Sequence, residues 1–292
     1  MVMPSESRPQ RRRAVLALAL AAALGAAGGV ARGDDALGPP LPPFRPQAQP
    51  LRPAPPKSDD ADAQMYERCL RLAKTDPSAA RDMAEAWHDR GGAHPADHCF
   101  AVALVGLKQY KPAAERLETL AQAMVHAPAA LRADVLDQAG QAWLLAGDPG
   151  RAYAAAGAAL KLAPNDPDLL VDRAEAAGSA GWYDKAVADL DRVLKADPQR
   201  TDALIYRASA YRALGRLDAA AADIDRAVAL APNSVEGLLE RGNIRRLRGD
   251  LAGARQDWLR VSLLAPGSAA DAAAKGNIER LDVKSGAPPP GR

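Results

Sequence analysis

The chain has 292 residues, of which 48% are hydrophobic and 4% aromatic, and its formal net charge is +2. Residues 1–31 hold four Arg and one Glu, so removing them takes away +3 and leaves about −1. A near-neutral protein without a basic stripe interleaved with aromatic residues has no general affinity for nucleic acid, so we expect no nucleic-acid partner.

Residues 1–31 are typical of a secretory signal peptide. Arg8 and residues 11–13, all Arg, precede an uncharged run of mostly Ala, Leu and Gly over residues 14–30, and small residues suited to cleavage follow near Ala31. A retained membrane anchor is the alternative, but the run is short for a span of about 20 apolar residues. We therefore predict a periplasmic protein, secreted through this signal, with no stable membrane span after cleavage.

Proline marks the next segment, residues 32–60, which includes the proline-rich stretches 39–43 and 53–56. This composition cannot build a core, so we predict a stiff, extended and disordered linker. At the other end, the proline-rich residues 283–292 predict a disordered tail.

Between these segments, several residue types recur every 34 positions. The prolines of this register are Pro164, Pro198, Pro232 and Pro266, and its glycines are Gly147, Gly181, Gly215 and Gly249. Glycine favours the left-handed conformation that ends a helix, and the residue before a proline is biased out of the helical region. The pattern therefore predicts a helix, a turn, a second helix and a second turn in each unit. A repeat of this length predicts that the helix pairs stack.

The register divides the helical part of the chain into three segments. Residues 129–266 form four full units, residues 61–128 form divergent helical repeats with a weaker register, and residues 267–282 form a lone capping helix. Terminal repeats are expected to diverge because one face meets water. We predict an all-α fold, a right-handed superhelical solenoid of antiparallel helix pairs.

This pattern resembles the tetratricopeptide repeat (TPR) family, in its exported bacterial form, over roughly residues 129–282. One unit carries the resemblance best, with Leu170, Ala174, Gly181, Tyr183, Ala186, Leu190, Val193 and Pro198. The family's frequent first-helix Trp is Leu in all four units, and Leu still fills the space. The resemblance implies a non-enzymatic scaffold that binds a protein or peptide partner on its concave face, with a role in cell-envelope or secretion-complex assembly.

The resemblance also implies which side chains line that face. They are Asp137, Gln141, Asp172, Glu175, Tyr206, Ser209, Arg212, Asn243 and Arg246. This polar mixture suits a polar peptide segment better than an apolar helix. It lacks the Lys and Asn set with which chaperone-binding members of the family clamp a terminal carboxylate.

Cys69 and Cys99 lie in first helices of successive divergent units, which are neighbours in a TPR stack. In an oxidising compartment, a disulfide between them is the leading interpretation. The alternative is a metal or redox site at this N-terminal cap, formed with His88, His94 and His98, in an accessory subunit or enzyme.

No nucleophile elbow, phosphate loop, paired-carboxylate site or nucleotide fingerprint is present in the sequence. We therefore predict no enzymatic activity, no cofactor and no metal. A structural, self-associating spacer is a third hypothesis, and the sequence does not predict the oligomeric state.

Overall fold

The computed structural model describes residues 60–285, and all regular structure within them is helical. The predicted signal peptide, the predicted linker up to residue 59 and residues 286–292 lie outside the described residues. None of the described helices is both long enough and apolar enough to span a membrane.

Thirteen α-helices follow one another along the described chain. They are α1 (Asp60–Thr75), α2 (Pro77–Trp87), α3 (Ala93–Gly106), α4 (Tyr110–Ala123), α5 (Ala129–Leu145), α6 (Pro149–Leu162), α7 (Pro167–Ser179), α8 (Tyr183–Ala196), α9 (Thr201–Ala213), α10 (Leu217–Leu230), α11 (Val235–Leu247), α12 (Leu251–Leu264) and α13 (Ala269–Ser285). A π-helical turn, His88–Gly92, joins α2 to α3.

Local chemistry sets the helix ends of the regular repeats. The first helices α5, α7, α9 and α11 each end just before a glycine in the left-handed region, with φ of 78°, 75°, 72° and 86° at Gly147, Gly181, Gly215 and Gly249. Each second helix ends two residues before a proline of the register, and the residue between lies outside the helical region, as at Ala163 with φ −134° and ψ 75°. Both rows therefore act as the sequence predicted.

Side chains cap several of the helix starts. The Asp148 carboxylate accepts a hydrogen bond from the Arg151 backbone N–H at the start of α6, and that of Asp250 accepts one from the Gly253 N–H at the start of α12. These contacts satisfy donors that the first helical turn leaves without a partner.

The last described helix ends where the sequence first offers a breaker. Helix α13 begins at Ala269 and continues to Ser285, so it extends into the segment predicted as a disordered tail from residue 283. The sequence from Leu281 to Ser285 holds neither glycine nor proline, and the first breaker is Gly286. Nothing in the local sequence therefore stops the helix earlier.

The helices form a curved stack. Each helix packs against the next in the chain, and from α5 onward each odd-numbered helix also packs against the following odd-numbered helix, whereas contacts between even-numbered helices are weaker. Helices on the inside of a bend lie closer together than those on the outside. The odd-numbered helices therefore form the inner wall of the solenoid, which we call the inner face.

Candidate partner-binding face

All nine predicted face residues lie on four successive first helices, α5, α7, α9 and α11. Two rows at 34-residue spacing contain most of them. One row is Gln138, Asp172, Tyr206 and Glu240, and the other is Gln141, Glu175, Ser209, Asn243 and Asn277. We call these two rows, together with Asp137, Arg212, Arg246 and Arg280, the inner polar layer.

Several of these side chains are more buried than an open binding surface implies. Glu175, Arg212 and Asn243 are only 7%, 3% and 4% exposed, and the other six predicted residues are half-buried. The close approach of neighbouring first helices explains this, because a side chain that points along the stack is covered by the next helix. The predicted residues therefore contact one another as well as the inner surface.

At the N-terminal end, the layer continues into the divergent repeats through His98. Its Nδ1 lies 2.7 Å from the Tyr66 hydroxyl oxygen on α1, and its Nε2 lies 2.8 Å from Oε1 of Gln138 on α5. Burial lowers the pKa of His98 to about 4, opposed by the hydrogen bond to Gln138. The ring is therefore neutral at pH 7 and connects three successive first helices.

The C-terminal half of the layer is basic. The Arg212 guanidinium Nε donates to Oε1 of the buried Glu240 at 2.6 Å, and Asn243 Nδ2 donates to the other carboxylate oxygen at 3.2 Å. Asn277 Nδ2 on α13 donates to Oδ1 of Asn243 at 3.0 Å, which extends the network. Burial, together with the neighbouring Arg212 and Arg280, lowers the pKa of Arg246. Three guanidinium groups thus share this half with one buried carboxylate.

The N-terminal half is acidic. Gln141 Nε2 on α5 donates to Asp137 Oδ2 at 2.9 Å. Burial raises the pKa of Asp137 well above its usual range, and the charge of Asp172 and a hydrogen bond with it raise that pKa further. Burial also raises the pKa of Glu175 to about 8, helped by the charge of Asp172 and opposed by a hydrogen bond from Tyr206. The inner face is therefore polarised, with carboxyl groups on α5 and α7 and guanidinium groups on α9, α11 and α13.

Sequence reasoning missed a second set of charged pairs, which join the two helices of a repeat. Three arginines on first helices each make a two-point contact with an aspartate 16 residues later: Arg173 with Asp189, Arg207 with Asp223 and Arg241 with Asp257, at N–O distances of 2.5–2.9 Å. Both rows recur every 34 residues in the sequence, so the signal was present. These pairs hold each helix pair together, since both partners point between the two helices.

The N-terminal cap contains the predicted cysteine pair. Cys69 on α1 and Cys99 on α3 are joined by a disulfide, with 6.1 Å between their Cα atoms, and both are fully buried. Nδ1 of His88 lies 3.1 Å from Oδ1 of Asp97. The described residues bring together no group of three or more His, Cys, Asp or Glu side chains that could hold a metal ion.

Comparison with known proteins agrees with this architecture. The family model described as tetratricopeptide repeat matches residues 171–235 and 207–274. A tetratricopeptide repeat protein from Parabacteroides merdae is 15% identical, with a TM-score of 0.64 over 76% of this chain and 87% of that one. TTC0263, a thermophilic TPR protein from Thermus thermophilus, is 18% identical, with a TM-score of 0.52 over 65% of this chain and 100% of that one. At these identities the likeness shows the fold alone, and no curated protein matches the chain.

Proposed function

We propose, from the match of residues 171–235 and 207–274 to the tetratricopeptide repeat family model, that the chain is a non-enzymatic scaffold whose inner face binds a protein or peptide segment. The observation that carries the proposal is the inner polar layer. Its side chains are held on packed helices by hydrogen bonds between successive repeats, as between Asn277 and Asn243. A partner segment would therefore meet polar groups that are already ordered, which reduces the entropy lost on binding.

The polarity of the layer supports a segment of mixed charge as the partner. Carboxyl groups lie at the α5–α7 end, and Arg212, Arg246 and Arg280 lie toward the α13 end. Charges of opposite sign at the two ends favour one direction of the bound chain over the reverse, because the reversed segment would place like charges together.

Site-specific photo-crosslinking in the producing cells tests which face binds. We would place a photoreactive amino acid at Arg246, which is half-buried on the inner face, and at Leu263 on α12, which is 81% exposed, as the matched control. We expect a discrete crosslinked protein from position 246 and none from position 263. Crosslinks from position 263 alone would refute binding on the inner face.

We further propose that the scaffold works in the periplasm, in envelope or secretion-complex assembly. The basic and apolar pattern of residues 1–31 and the disulfide between Cys69 and Cys99 support export to an oxidising compartment. N-terminal sequencing of the protein from fractionated cells should find it in the periplasm, starting after Ala31. A full-length chain in the cytoplasm with two free thiols would contradict the export.

A further inference from the structure

At the acidic end of the inner polar layer, buried carboxyl groups lack the cationic partner that buried carboxyl groups have elsewhere in the described residues. Asp189, Asp223 and Asp257 are each about 4% exposed or less, and each is matched by a two-point contact with an arginine. Glu240 is likewise matched by Arg212. Among the described residues, Asp137 and Glu175 make no ion pair with Lys or Arg within 4.0 Å.

Two carboxyl oxygens in this region also lack hydrogen-bond partners. They are Asp137 Oδ1 and Glu175 Oε1, and both are buried atoms. Glu175 is 7% exposed as a whole, and Asp172 acts on both residues: through a hydrogen bond and its charge on Asp137, and through its charge on Glu175. Buried carboxyl oxygens in proteins normally have a donor, so this arrangement is incomplete without one.

The space beside these groups limits the size of the missing donor. A cavity of about 10 Å³ lies between α5, α6 and α7, and its lining includes Asp137, Gln141, Asp172, Leu144 and several alanines, whereas Glu175 lies outside the lining, next to Ala176. That volume corresponds to about one water molecule. A primary ammonium group is of similar size and carries three donors, whereas the planar guanidinium of arginine is larger.

From these observations we infer that Asp137 and Asp172, beside the buried Glu175, bind the ammonium group of one lysine side chain in the partner segment. The inference deepens the proposed function and rests on it, since the lysine belongs to the segment bound on the inner face. A bound ammonium favours the ionised form of the neighbouring carboxyl groups, and it supplies a donor for the buried Asp137 oxygen that lacks one. The half-buried Leu144 at the cavity wall packs against the methylene stem of the lysine.

Peptide selection provides the test. A phage-displayed library of random dodecapeptides is selected on the purified protein, and the enriched peptides are synthesised with a free lysine and with the same lysine acetylated. An acetylated N-terminus in both forms excludes the α-amino group as the source of the ammonium. Fluorescence polarisation then measures the affinity of each peptide for the wild type, for Asp172→Asn and for Arg246→Ala.

The control variant is Asp218→Asn on α10. The Asp218 side chain is 97% exposed and lies 3.3 Å from an Arg248 side-chain nitrogen, so this variant makes the same chemical change away from the inner face. We expect acetylation and Asp172→Asn each to weaken binding at least tenfold, while Asp218→Asn changes it less than twofold. Acetylation needs no variant protein, so it tests the inference even if Asp172→Asn disturbs folding.

The remaining outcomes distinguish failure of the lysine site from failure of inner-face binding. Peptides that lose affinity with Arg246→Ala but keep it after acetylation and with Asp172→Asn would overturn the lysine site and leave inner-face binding intact. Peptides that are indifferent to Arg246→Ala, Asp172→Asn and acetylation would overturn inner-face binding and the lysine site together.

Discussion

Individual side chains of the inner face owe their properties to burial between repeats. Glu175 is the strongest example, because helix packing removes it from water and places it near Asp172 and the Tyr206 hydroxyl. Its pKa of about 8 means that the carboxyl is mostly protonated at neutral pH. The fold therefore holds a neutral acid where the sequence shows only a charged residue type.

The variant Glu175→Gln tests this environment. The raised pKa means that ionisation destabilises the folded protein, so wild-type stability falls as the pH rises from about 4.5 through about 8. Gln does not ionise, so it avoids this destabilisation of the folded state. We expect Glu175→Gln to be more stable than wild type at pH 9 by on the order of 3 kcal/mol. The difference should vanish near pH 5 when urea unfolding is measured across this range.

A matched control is Glu85→Gln on the exposed surface of α2. It should change the free energy of unfolding by less than about 0.5 kcal/mol at either pH, as surface substitutions generally do. Equal behaviour of the two variants would contradict the buried environment of Glu175.

Close helix approach makes a second residue-scale prediction, at Gly242. A Cβ at this position would lie 2.7 Å from Cδ1 of Trp258, which is fully buried, so Gly242→Ala must move the indole ring. We expect a loss of about 1–3 kcal/mol in the free energy of unfolding, measured by urea titration.

Gly276 belongs to the same 34-residue row and supplies the comparison. The nearest atom to its Cβ would be Arg280 Nη1 at 3.6 Å, so Gly276→Ala has room and improves helix propensity by up to about 1 kcal/mol. Destabilisation by Gly276→Ala that equals or exceeds that by Gly242→Ala would refute the packing argument.

At the scale of helices, paired charges fix each first helix to its second helix. Arg173 on α7 and Asp189 on α8 are the simplest example, since Nε and Nη2 of the arginine contact both carboxylate oxygens at 2.7 and 2.5 Å. Asp189 is 4% exposed, so the pair is largely removed from water. Loss of one partner leaves a buried charge without compensation.

A double-mutant cycle measures this coupling. Arg173→Met and Asp189→Leu should each cost about 3 kcal/mol of stability, because each leaves an unpaired charge between the helices. The double variant should cost clearly less than the sum, with an interaction energy of at least about 1 kcal/mol from chemical denaturation. Additive effects would mean that the pair contributes no coupling.

Helix ends were predictable from the sequence, as was the Cys69–Cys99 disulfide, whereas the polar contacts between helices were not. Gly181 and Pro198 act on their own backbone, so the sequence around each is enough to place a turn. The partners of Arg173 or Glu240 depend on which helices meet, and periodicity alone does not give that distance. The nine predicted face residues lie on first helices, and their burial follows from packing between repeats.

At the scale of the described solenoid, the odd-numbered and the even-numbered helices occupy different positions and have different contacts. Even-numbered helices lie on the outer side of each repeat and pack against their neighbours in the chain. Odd-numbered helices also pack against one another and carry the inner polar layer. The Cys69–Cys99 disulfide joins two odd-numbered helices in the divergent repeats at the N-terminal end. This organisation gives one continuous polar wall, and we propose it as the surface that meets the partner.

Paramagnetic relaxation enhancement with a spin-labelled selected peptide tests this central claim most directly. We expect the amide signals of α5, α7, α9 and α11 to broaden more strongly than those of α6, α8, α10 and α12, because the odd-numbered helices lie nearer to the bound label. Broadening concentrated on the even-numbered helices would contradict binding on the inner face.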